Sequence, residues 1–577
     1  MTDYLHPSVS SKITDNSNVY ITATGTTKLF QVIQGEFGED NKLVRITTPE
    51  EFIFKFGNPN LAKYGQASYN VIEWVKAGGE AYVIMPRPSD ARYANLLLSV
   101  VGKSEAGAVT MAPKVTNFDA GVSSKAALKT ILNTESDDVG TPVGFFIPKG
   151  RGAGYNGYGL RLTLRTNMDN TFSFRTYDLE FTAKDSTGAD VSVEGPFMVS
   201  FDPDARNKAN ESVYYAAVVN KYSKFMNVVD NRSAFETLAA LVVGSDESPD
   251  LAKVDIIYGK ERKVTPAEVI HANATWSTDV NLAELHYLSK GFDGTYSGTS
   301  SLDSLYSRAY SGLIDSAVLD KQQFEFDVLL DANYSATVKN AMSELASVQR
   351  QDCKAILDLG IQADEQGTID FRHNNVSMST RYTSLFAQNM DVFDEYNGET
   401  ITVTSSYFLA SLIPTVDNAN GIQWPFVGPR RGVISGFDNM NFYPNEPWKE
   451  SLYTAQINYI EKDPKKVNFA SQLTSQTQNS ALSQINNVRV LLKIRREVEK
   501  MMADYRMEFN DALTYDSMSY DVNNYLQTWV ANRACSSCSG TVYASDYDKQ
   551  QNLVRVSITV VFTGIIEKVA IDITVNR

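Results

Sequence analysis

The segment from residue 324 to 359 constrains the fold more than any other part of the chain. It begins with the apolar run FEFDVLL and ends with a second one, CKAILDL. Between the two runs, Val338, Met342 and Leu345 recur at helical spacing. Two short strands joined by a helix form a β-α-β unit, whose strands are parallel and whose crossover is right-handed. The sequence therefore predicts a layered α/β structure in this region.

Similar signals near both ends extend this prediction. The segment PEEFIFKFG at 49–57 predicts a short helix that Gly57 ends, and residues 66–77 predict a helix followed by a buried strand, AYVIM. Near the C-terminus, apolar stripes predict helices over 487–509 and 519–533, and alternation predicts strands over 554–562 and 569–575. Further strands are expected at 160–164, 213–219 and 408–413. The fold class is therefore mixed α/β and α+β with several domains.

Composition excludes several classes of protein. Of the 577 residues, 43% are hydrophobic and 21% are charged, as in ordinary globular proteins, and this length suggests three or four domains. The net charge of −15 argues against a nucleic-acid binder, which needs an excess of Lys and Arg. Three cysteines cannot form a disulfide framework, so we expect a reducing compartment. The sequence holds no apolar run long enough to span a bilayer, and we expect no export signal at its start.

Two glycine motifs could suggest a nucleotide site, but neither has the required context. Residues 152–157 match GxGxxG, yet alternating leucines that predict a strand follow them, where a dinucleotide site needs a helix. Gly102-Lys103-Ser104 matches the end of a phosphate loop, but Leu97 stands where the first glycine should be. We therefore expect no nucleotide cofactor.

The cysteines and histidines do not predict catalysis either. Cys535 and Cys538 form a CxxC that we expect in a loop after a helix, without the second ligand pair that structural zinc requires. The four histidines are scattered singly, and no nucleophile or carboxylate-pair motif is present. The sequence therefore predicts no catalytic, cofactor-binding or metal-binding residues, and no enzyme.

One charge pattern is unusual in so acidic a chain. Arg489, Lys493, Arg496 and Lys500 fall at i, i+4, i+7 and i+11 and so form one stripe on the predicted helix 487–509. Two interpretations remain open. The stripe is either a solvated face with a Lys493–Glu497 pair, or a surface that docks on an acidic protein.

Both chain ends carry strand-like segments. At the start these are Val19, Ile21 and Ala23, and at the end Val569, Ile571, Ile573 and Val575 form one apolar face. Each segment either completes its own sheet or pairs with an open sheet edge in a neighbouring subunit.

The order of segments resembles that of contractile phage tail sheath proteins. YLHPSV is similar to the Tyr-x-x-Pro-Gly-Val opening of that family, and PEEFIFKFGNP with YNVIEWVKAGGEAYVIMPRP is similar to its Glu-Phe to Phe-Gly segment and its helix–Gly-Gly–strand. KGRGAGYNGYGLRLTL resembles the family's Gly-rich loop, and FDVLLDANYSATVKNAMSELASVQRQDCKAILDLG its β-α-β unit. WPFVGPRRGVISG and NNVRVLLKIRREVEKMM are similar to its Trp-x-Ala-Pro-Ala loop and its Asn-Val-Arg-Arg helix. The resemblance covers about 1–90 and 324–577.

The resemblance implies a domain order. Residues 1–24 would be an N-terminal arm and 25–90 the first part of the sheath core. Residues 91–323 would form an inserted, β-rich outer region that faces away from the tube. Residues 324–435 would complete the core around the β-α-β unit, 436–552 would be a helical, tube-facing part, and 553–577 would hold the last strands with an exchanged arm.

The resemblance also implies a function without catalysis. Sixfold rings of this subunit would stack helically around an inner tail tube and contract to drive the tube through the host envelope for genome ejection. The partners would be further copies of the chain, the tube protein, and baseplate and tail terminator proteins. No nucleic acid and no membrane would be bound, and the protein would be assembled in the host cytoplasm and reside in the virion tail. Arg489, Lys493, Arg496 and Lys500 would face the tube, and the terminal strands would be exchanged between subunits.

Three alternatives remain open at this point. The chain could be the sheath of a phage-derived injection or secretion particle, although the insertion at 91–320 favours a phage. It could be a tube, baseplate or capsid component, which would not need a β-α-β core joined to two strand arms. It could also be an intracellular enzyme with a cryptic site.

Overall fold

The computed structural model describes residues 27–105, 108–119, 122–133, 141–164, 176–185, 187–201, 203, 205–231, 275–276 and 283–567. These residues form thirteen helices and twenty-four strands. None of these thirteen helices is both long and apolar enough to cross a membrane. The helices are α1 Pro49–Phe56, α2 Leu61–Tyr64, α3 Ala67–Lys76, α4 Lys125–Leu132, α5 Tyr215–Tyr222, α6 Leu302–Tyr310, α7 Ala336–Glu344, α8 Glu365–Asn374, α9 Ser406–Asn420, α10 Glu446–Thr454, α11 Ile485–Ala503, α12 Ala512–Ala531 and α13 Asp546–Gln550.

The strands belong to six sheets. They are β1 Lys28–Val32, β2 Val44–Ile46, β3 Glu80–Ile84, β4 Leu96–Glu105, β5 Ala108–Thr116, β6 Thr141–Pro148, β7 Gly159–Leu164, β8 Tyr177–Lys184, β9 Asp190–Val199, β10 Met226–Asp230, β11 Thr275–Trp276, β12 His286–Tyr287, β13 Val328–Leu330, β14 Lys354–Asp358, β15 Thr383–Phe386, β16 Asn389–Asp394, β17 Glu399–Thr404, β18 Val433–Ile434, β19 Asn439–Met440, β20 Ile457–Asn458, β21 Ile460–Asp463, β22 Lys466–Phe469, β23 Cys535–Tyr543 and β24 Arg555–Phe562.

A seven-stranded central sheet organises the fold, in the order β2-β3-β1-β13-β14-β15-β20. All neighbouring pairs are parallel except β2 with β3. Strand β13, helix α7 and strand β14 form the β-α-β unit that the sequence predicts at 324–359. The sheet takes strands from residues 28–84 and from residues 328–458, so the chain leaves it and returns after more than two hundred residues. The domain boundaries stay predictions.

Helices cover both faces of the central sheet. Alternate residues of one strand enter different apolar clusters: Leu29 packs with α3 and α9 on one face, and Phe30 packs with α6 and α7 on the other. Strands β13, β14 and β15 are buried along their whole length, as expected for parallel strands between two helical layers. The result is a three-layer α/β/α core.

Strands β4 to β12 form two further sheets that share an apolar cluster apart from that of the central sheet. One sheet has five strands in the order β10-β6-β4-β5-β11, and the other has four in the order β12-β7-β8-β9. A buried ion pair, Arg151 Nη2 to Asp40 Oδ2 at 2.6 Å, attaches this region to the core. Phe54 on α1 also contacts Phe225, with ring centroids 4.2 Å apart.

Residues 485–567 form what we call the C-terminal module. Helices α11 and α12 pack together with the hairpin of β23 and β24, around Val490, Ile494, Val522 and Leu526. Helix α11 ends at Ala503, earlier than the periodicity predicts, because the next amides, of Asp504, Tyr505 and Arg506, donate to carbonyls three residues earlier and form tighter turns. Helix α12 begins earlier than predicted, at Ala512, because Asp511 caps it by accepting a hydrogen bond from the Thr514 amide at 3.0 Å.

Three secondary-structure predictions are wrong. Residues 213–219 enter helix α5, and residues 408–413 lie within the fifteen-residue helix α9, since a short apolar run does not distinguish a buried strand from a buried helix. The CxxC pair lies on strand β23 and not in a loop. The N-terminal strand at 19–23 and the final strand at 569–575 lie outside the described residues.

Candidate assembly surfaces

The basic stripe of α11 contacts the central sheet region of its own chain. Arg489 is buried, and its two terminal nitrogens donate to the two carboxylate oxygens of Asp417 on α9, with Nη1 to Oδ1 at 3.0 Å. The hydroxyl of Thr27, just before β1, donates to the same carboxylate at 2.6 Å. A bidentate, desolvated pair of this kind fixes both position and orientation. It therefore attaches the first half of α11 to α9 and to the start of β1.

Arg496 makes the corresponding contact near the start of β13. Its guanidinium donates to Asp327 Oδ1 at 2.5 Å and to the carbonyl oxygens of Phe326 and Asp352, each at 2.6 Å. Burial raises the pKa of Asp327, but the charges of Arg496 and Lys493 outweigh it, so that this pKa lies below its ordinary value. Asp327 is therefore ionised at neutral pH and pairs with Arg496.

Lys500 completes the series at the protein surface. Its ammonium group contacts Glu325, which also lies 3.7 Å from Lys28. Burial raises the pKa of Glu325, but the hydrogen bond from Lys500 and its charge outweigh burial and lower the pKa. Together, Arg489, Arg496 and Lys500 form what we call the clamp, which holds α11 against the central sheet.

These contacts correct one premise of the sequence interpretation. The stripe is not an exposed face at Arg489 and Arg496, because both are buried and paired within the chain. Lys493 and Lys500 keep accessible charge, with side chains 21% and 47% exposed, and the predicted Lys493–Glu497 pair is confirmed at 3.2 Å. That α11 faces a tube stays a prediction. Periodicity could not reveal the clamp, because the partner carboxylates lie 72 and 169 residues away.

The hairpin of β23 and β24 is covered on one face only. Its strands have nine and eight residues and pair antiparallel, with an irregularity between Cys535 and Ser537. Cys538 and Gly540 are buried against α12, and a Cβ on Gly540 would lie 2.5 Å from Val522 Cγ1, so only glycine permits this approach. Along β24, exposed and half-buried residues alternate. A two-stranded sheet of this length is marginal by itself.

The two edges of this hairpin differ. On β23, the side-chain amide of Asn523 donates to the Gly540 carbonyl at 2.8 Å and accepts from the Gly540 amide at 2.9 Å, while Gln527 donates to the Cys538 carbonyl at 3.3 Å. Gly540 faces Ile558 across the ladder. Because the backbone of Gly540 points away from β24, that of Ile558 points away from β23.

The outer edge of β24 is therefore not covered by any strand that the structure describes. The backbone groups of Val556, Ile558 and Val560 face outward by this alternation, and no other described strand pairs with β24. The strand carries one charged residue, Arg555, and no proline, so it lacks the usual features that prevent strand addition at an edge. Sequence analysis predicted this strand from its alternation but could not show that it lies at an edge. The predicted exchange residues Val19, Ile21, Ala23, Val569, Ile571, Ile573 and Val575 lie outside the described residues.

The cysteine pair and the two glycine motifs lie on strands or directly before one. Cys535 and Cys538 are free and buried, and burial raises the pKa of Cys535 to about 12, so neither is a thiolate at neutral pH. A strand follows the GxGxxG turn, as predicted, and Gly102-Lys103-Ser104 lies within β4. In the described parts of the chain, no group of three or more His, Cys, Asp or Glu side chains could hold a metal ion.

A buried charged cluster that sequence analysis missed lies at the carboxyl ends of β13 and β14. Lys339 Nζ donates to Asp331 at 2.7 Å and to Asp358 at 3.1 Å, and all three side chains are inaccessible to solvent. Burial and the charge of Asp358 raise the pKa of Asp331 to about 7. Thr404 Oγ1 donates to Asp358 at 2.7 Å. The cluster therefore connects β13, α7, β14 and β17.

Comparison with solved structures shows which known fold this is. The chain is similar to the sheath tail protein Lin1278 from Listeria innocua, with a TM-score of 0.51 and 10% identity, over 93% of this chain and 95% of that one. The chain has the fold of a sheath tail protein. The resemblance to contractile tail sheath proteins is thus confirmed at the level of the fold.

Other solved structures match at lower TM-scores. The sheath tail protein DSY3957 from Desulfitobacterium hafniense matches at 0.48 with 9% identity, over 97% of this chain and all of that one. The helical sheath of the anti-feeding prophage in its contracted state matches at 0.39 with 15% identity, over 50% of this chain and 78% of that one. No protein-family model matches the chain, and no curated protein matches it in sequence.

Proposed function

We propose that this chain is the repeating, non-catalytic subunit of a contractile tail sheath. Copies would form sixfold rings that stack helically around an inner tube, and contraction would drive the tube through a host envelope. The fold shared with a sheath tail protein makes this class the natural one. The observation that carries the proposal is the open edge of β24, because a subunit that keeps an unguarded strand edge is suited to receive a strand from another subunit.

In this proposal the terminal segments supply the missing strands. Val569, Ile571, Ile573 and Val575 of one copy would pair with the β24 edge of a neighbour, with the strand at 19–23 contributing from another copy. Main-chain hydrogen bonds of this kind join subunits without fixing the side-chain contacts of their bodies. The bodies could then rotate during contraction while the subunits stay connected.

The other partners follow from the same assignment. The tube protein would lie inside the rings, near Lys493 and Lys500 of α11, and baseplate and tail terminator proteins would bind the two ends. The region at 91–323 would lie on the outside, where irregular loops are tolerated.

The particle would be a phage tail that ejects a genome, assembled in the host cytoplasm. The second candidate is the sheath of a phage-derived injection particle, whose subunit would have the same fold.

Negative-stain microscopy of the purified full chain tests the proposal. We expect long, striated hollow cylinders from the native chain. A chain that lacks residues 566–577 should stay folded and give none, because β24 receives no strand.

A length-preserving pair of variants controls for truncation. Replacing Val569, Ile571, Ile573 and Val575 with Ser should abolish cylinders, because it removes the apolar face of the arm. Replacing Lys568, Ala570, Asp572 and Thr574 with Ser alters the same number of residues on the opposite face and should leave assembly largely intact. Cylinders of normal length from the first variant would refute strand exchange, and the absence of cylinders from the native chain would refute the sheath assignment.

A further inference from the structure

The turn between α11 and α12 carries large apolar side chains in contact with solvent. Phe509, Leu513 and Tyr520 are 82%, 76% and 72% exposed, and Met507 is fully exposed. Leu513 and Tyr520 are seven residues apart and so lie on one face of α12. Several large apolar side chains exposed at one turn indicate an interaction surface there.

Acidic side chains surround these apolar residues. Asp504, Glu508, Asp511, Asp516 and Asp521 lie within the same eighteen residues as one base, Arg506, which gives a local charge of −4. All five carboxylate residues are exposed. Asp511 caps α12, and Asp521 accepts a hydrogen bond from Tyr505, but Asp504, Glu508 and Asp516 have no ion-pair partner among the described residues. We call residues 504–521 the acidic tip.

A surface of opposite charge lies on the β21–β22 turn and the loop before β18. Lys466 Nζ donates to the Pro429 carbonyl at 2.8 Å and so joins the two segments. The surface also exposes two apolar side chains, Val433 and Tyr443, with Lys462 Nζ 5.2 Å from the Tyr443 ring centroid. We call it the basic surface, and its bases are Arg430, Arg431, Lys462, Lys465 and Lys466. These five bases outnumber the acids Glu461 and Asp463, which gives a local charge of +3.

The two surfaces lie at opposite ends of α12. The acidic tip includes the first turns of this helix. Just beyond its last turn, Arg533 lies 5.7 Å from the Trp424 ring, and Arg431 of the basic surface lies 4.6 Å from the same ring. Twenty helical residues span about 30 Å. The surfaces therefore cannot meet within one chain, but two copies can bring them together.

We propose that the acidic tip of one copy docks on the basic surface of a second copy. Each surface combines exposed apolar side chains with charges, and the signs are opposite. Because the two surfaces differ, the contact is head-to-tail and can continue indefinitely, as a stacked assembly requires. This contact deepens the proposed function and rests on it for the open-ended form of the assembly.

Charge reversal in the full chain tests the contact. The tip variant carries Asp504→Lys, Glu508→Lys and Asp516→Lys, and the base variant carries Arg430→Glu, Lys462→Glu and Lys465→Glu. The selected acids have no ion-pair partner within the described residues, and the bases are exposed, so both variants should fold like the native chain by circular dichroism. Glu344→Lys, Asp370→Lys and Glu399→Lys form a control for the tip variant, with the same change of net charge at exposed sites on other elements.

The readout is the critical concentration for self-association, measured by sedimentation at low ionic strength. Each variant alone places like charges together, so its critical concentration should rise about tenfold or more, while the control should stay near the native value. An equimolar mixture of the two variants should recover association, because the reversed tip of one meets the reversed surface of the other. A chain that carries all six substitutions should recover as well, and added salt should weaken the native contact.

Each contrary result has one meaning. Native self-association of either variant, or failure of both the mixture and the sixfold variant to recover, would overturn the contact. A native chain that stays monomeric at low ionic strength would also overturn it. Association that follows the charge rules without hollow cylinders would refute the proposed function and leave this contact standing.

Discussion

Strands β13, β14 and β15 of the central sheet are buried at every residue, whereas β24 of the C-terminal module alternates between exposed and half-buried positions. Two helical layers cover the faces of the first region. The second has one covered face and an edge that pairs with no other described strand. The ion pairs of the clamp attach it to the central sheet region. The difference supports the proposal that assembly completes the second region.

Buried charge is used differently in the two regions. The cluster of Asp331, Lys339 and Asp358 lies inside one layer and connects elements of the same core. Arg489 and Arg496 cross between regions, from α11 to α9 and to the start of β13. Loss of the Lys339 cluster should therefore weaken the whole core. Loss of the Arg489 and Arg496 ion pairs should release the C-terminal module.

The largest effect is expected from Lys339→Met. The substitution leaves two buried carboxylates without a counter-ion, and removing one partner of a buried ion pair costs about 3–5 kcal/mol. The free energy of unfolding from urea denaturation should fall by that amount. Lys493→Met, which removes a partly exposed helical pair, is the matched control and should change it by about 0.5 kcal/mol or less. Equal losses in the two variants would contradict the distinction between buried core charge and surface charge.

The next largest effect is expected from Arg496→Met, and it should be local. Asp327 would lose its partner, and the carbonyl groups of Phe326 and Asp352 would lose a donor, at a cost of about 3 kcal/mol. Hydrogen exchange should accelerate in α11 and α12 while the amides of β13 and β14 keep their protection. Uniform acceleration across both regions would mean that the C-terminal module is an inseparable part of the core.

A smaller effect on the monomer, with a large one on assembly, is expected from Ile558→Pro. The outward amide of Ile558 forms no hydrogen bond with a described strand, so a proline there should weaken the hairpin little. The same proline removes a hydrogen-bond donor that strand addition needs, and this lost hydrogen bond is worth about 1 kcal/mol per subunit. Ile558→Ala keeps the amide and removes the same packing contact. Cylinder formation should be lost in the proline variant and kept in the alanine variant. Assembly of both would show that the β24 edge is not used.

The sequence was informative wherever a local pattern decides local structure. The apolar spacing around Val338 and Met342 predicted α7 between two parallel strands, because helical periodicity is a property of neighbouring residues. The stripe on α11 was also predicted correctly as a stripe. Whether it meets solvent or buried carboxylates depends on Asp417 and Asp327, which are distant in sequence and leave no local signal.

The central sheet could be predicted from local sequence patterns, but the exposed edge of the C-terminal module could not. The open edge of β24 depends on which strand lies beside it, and Asn523 of α12 decides that the other edge is covered. A pattern of alternation is the same for a central strand and an edge strand. The terminal arms remain a prediction from sequence, because their residues lie outside the described part of the chain.

The smallest effect is expected from Lys500→Met at the exposed end of the clamp. At neutral pH the loss should be about 0.2–1 kcal/mol, because the side chain of Lys500 is about half exposed and its pair with Glu325 is screened by solvent. In the folded chain the pKa of Glu325 lies below its ordinary value of 4.5. The stability that the Lys500–Glu325 pair contributes is therefore fully present above pH 4.5 and is lost as the pH falls through the lowered pKa. The difference between native chain and variant should therefore be constant from pH 6 to 8 and shrink below about pH 4.5. Urea denaturation at pH 7, 5.5 and 4 measures it, and a difference that grows toward acid pH would show that Lys500 does not act through Glu325.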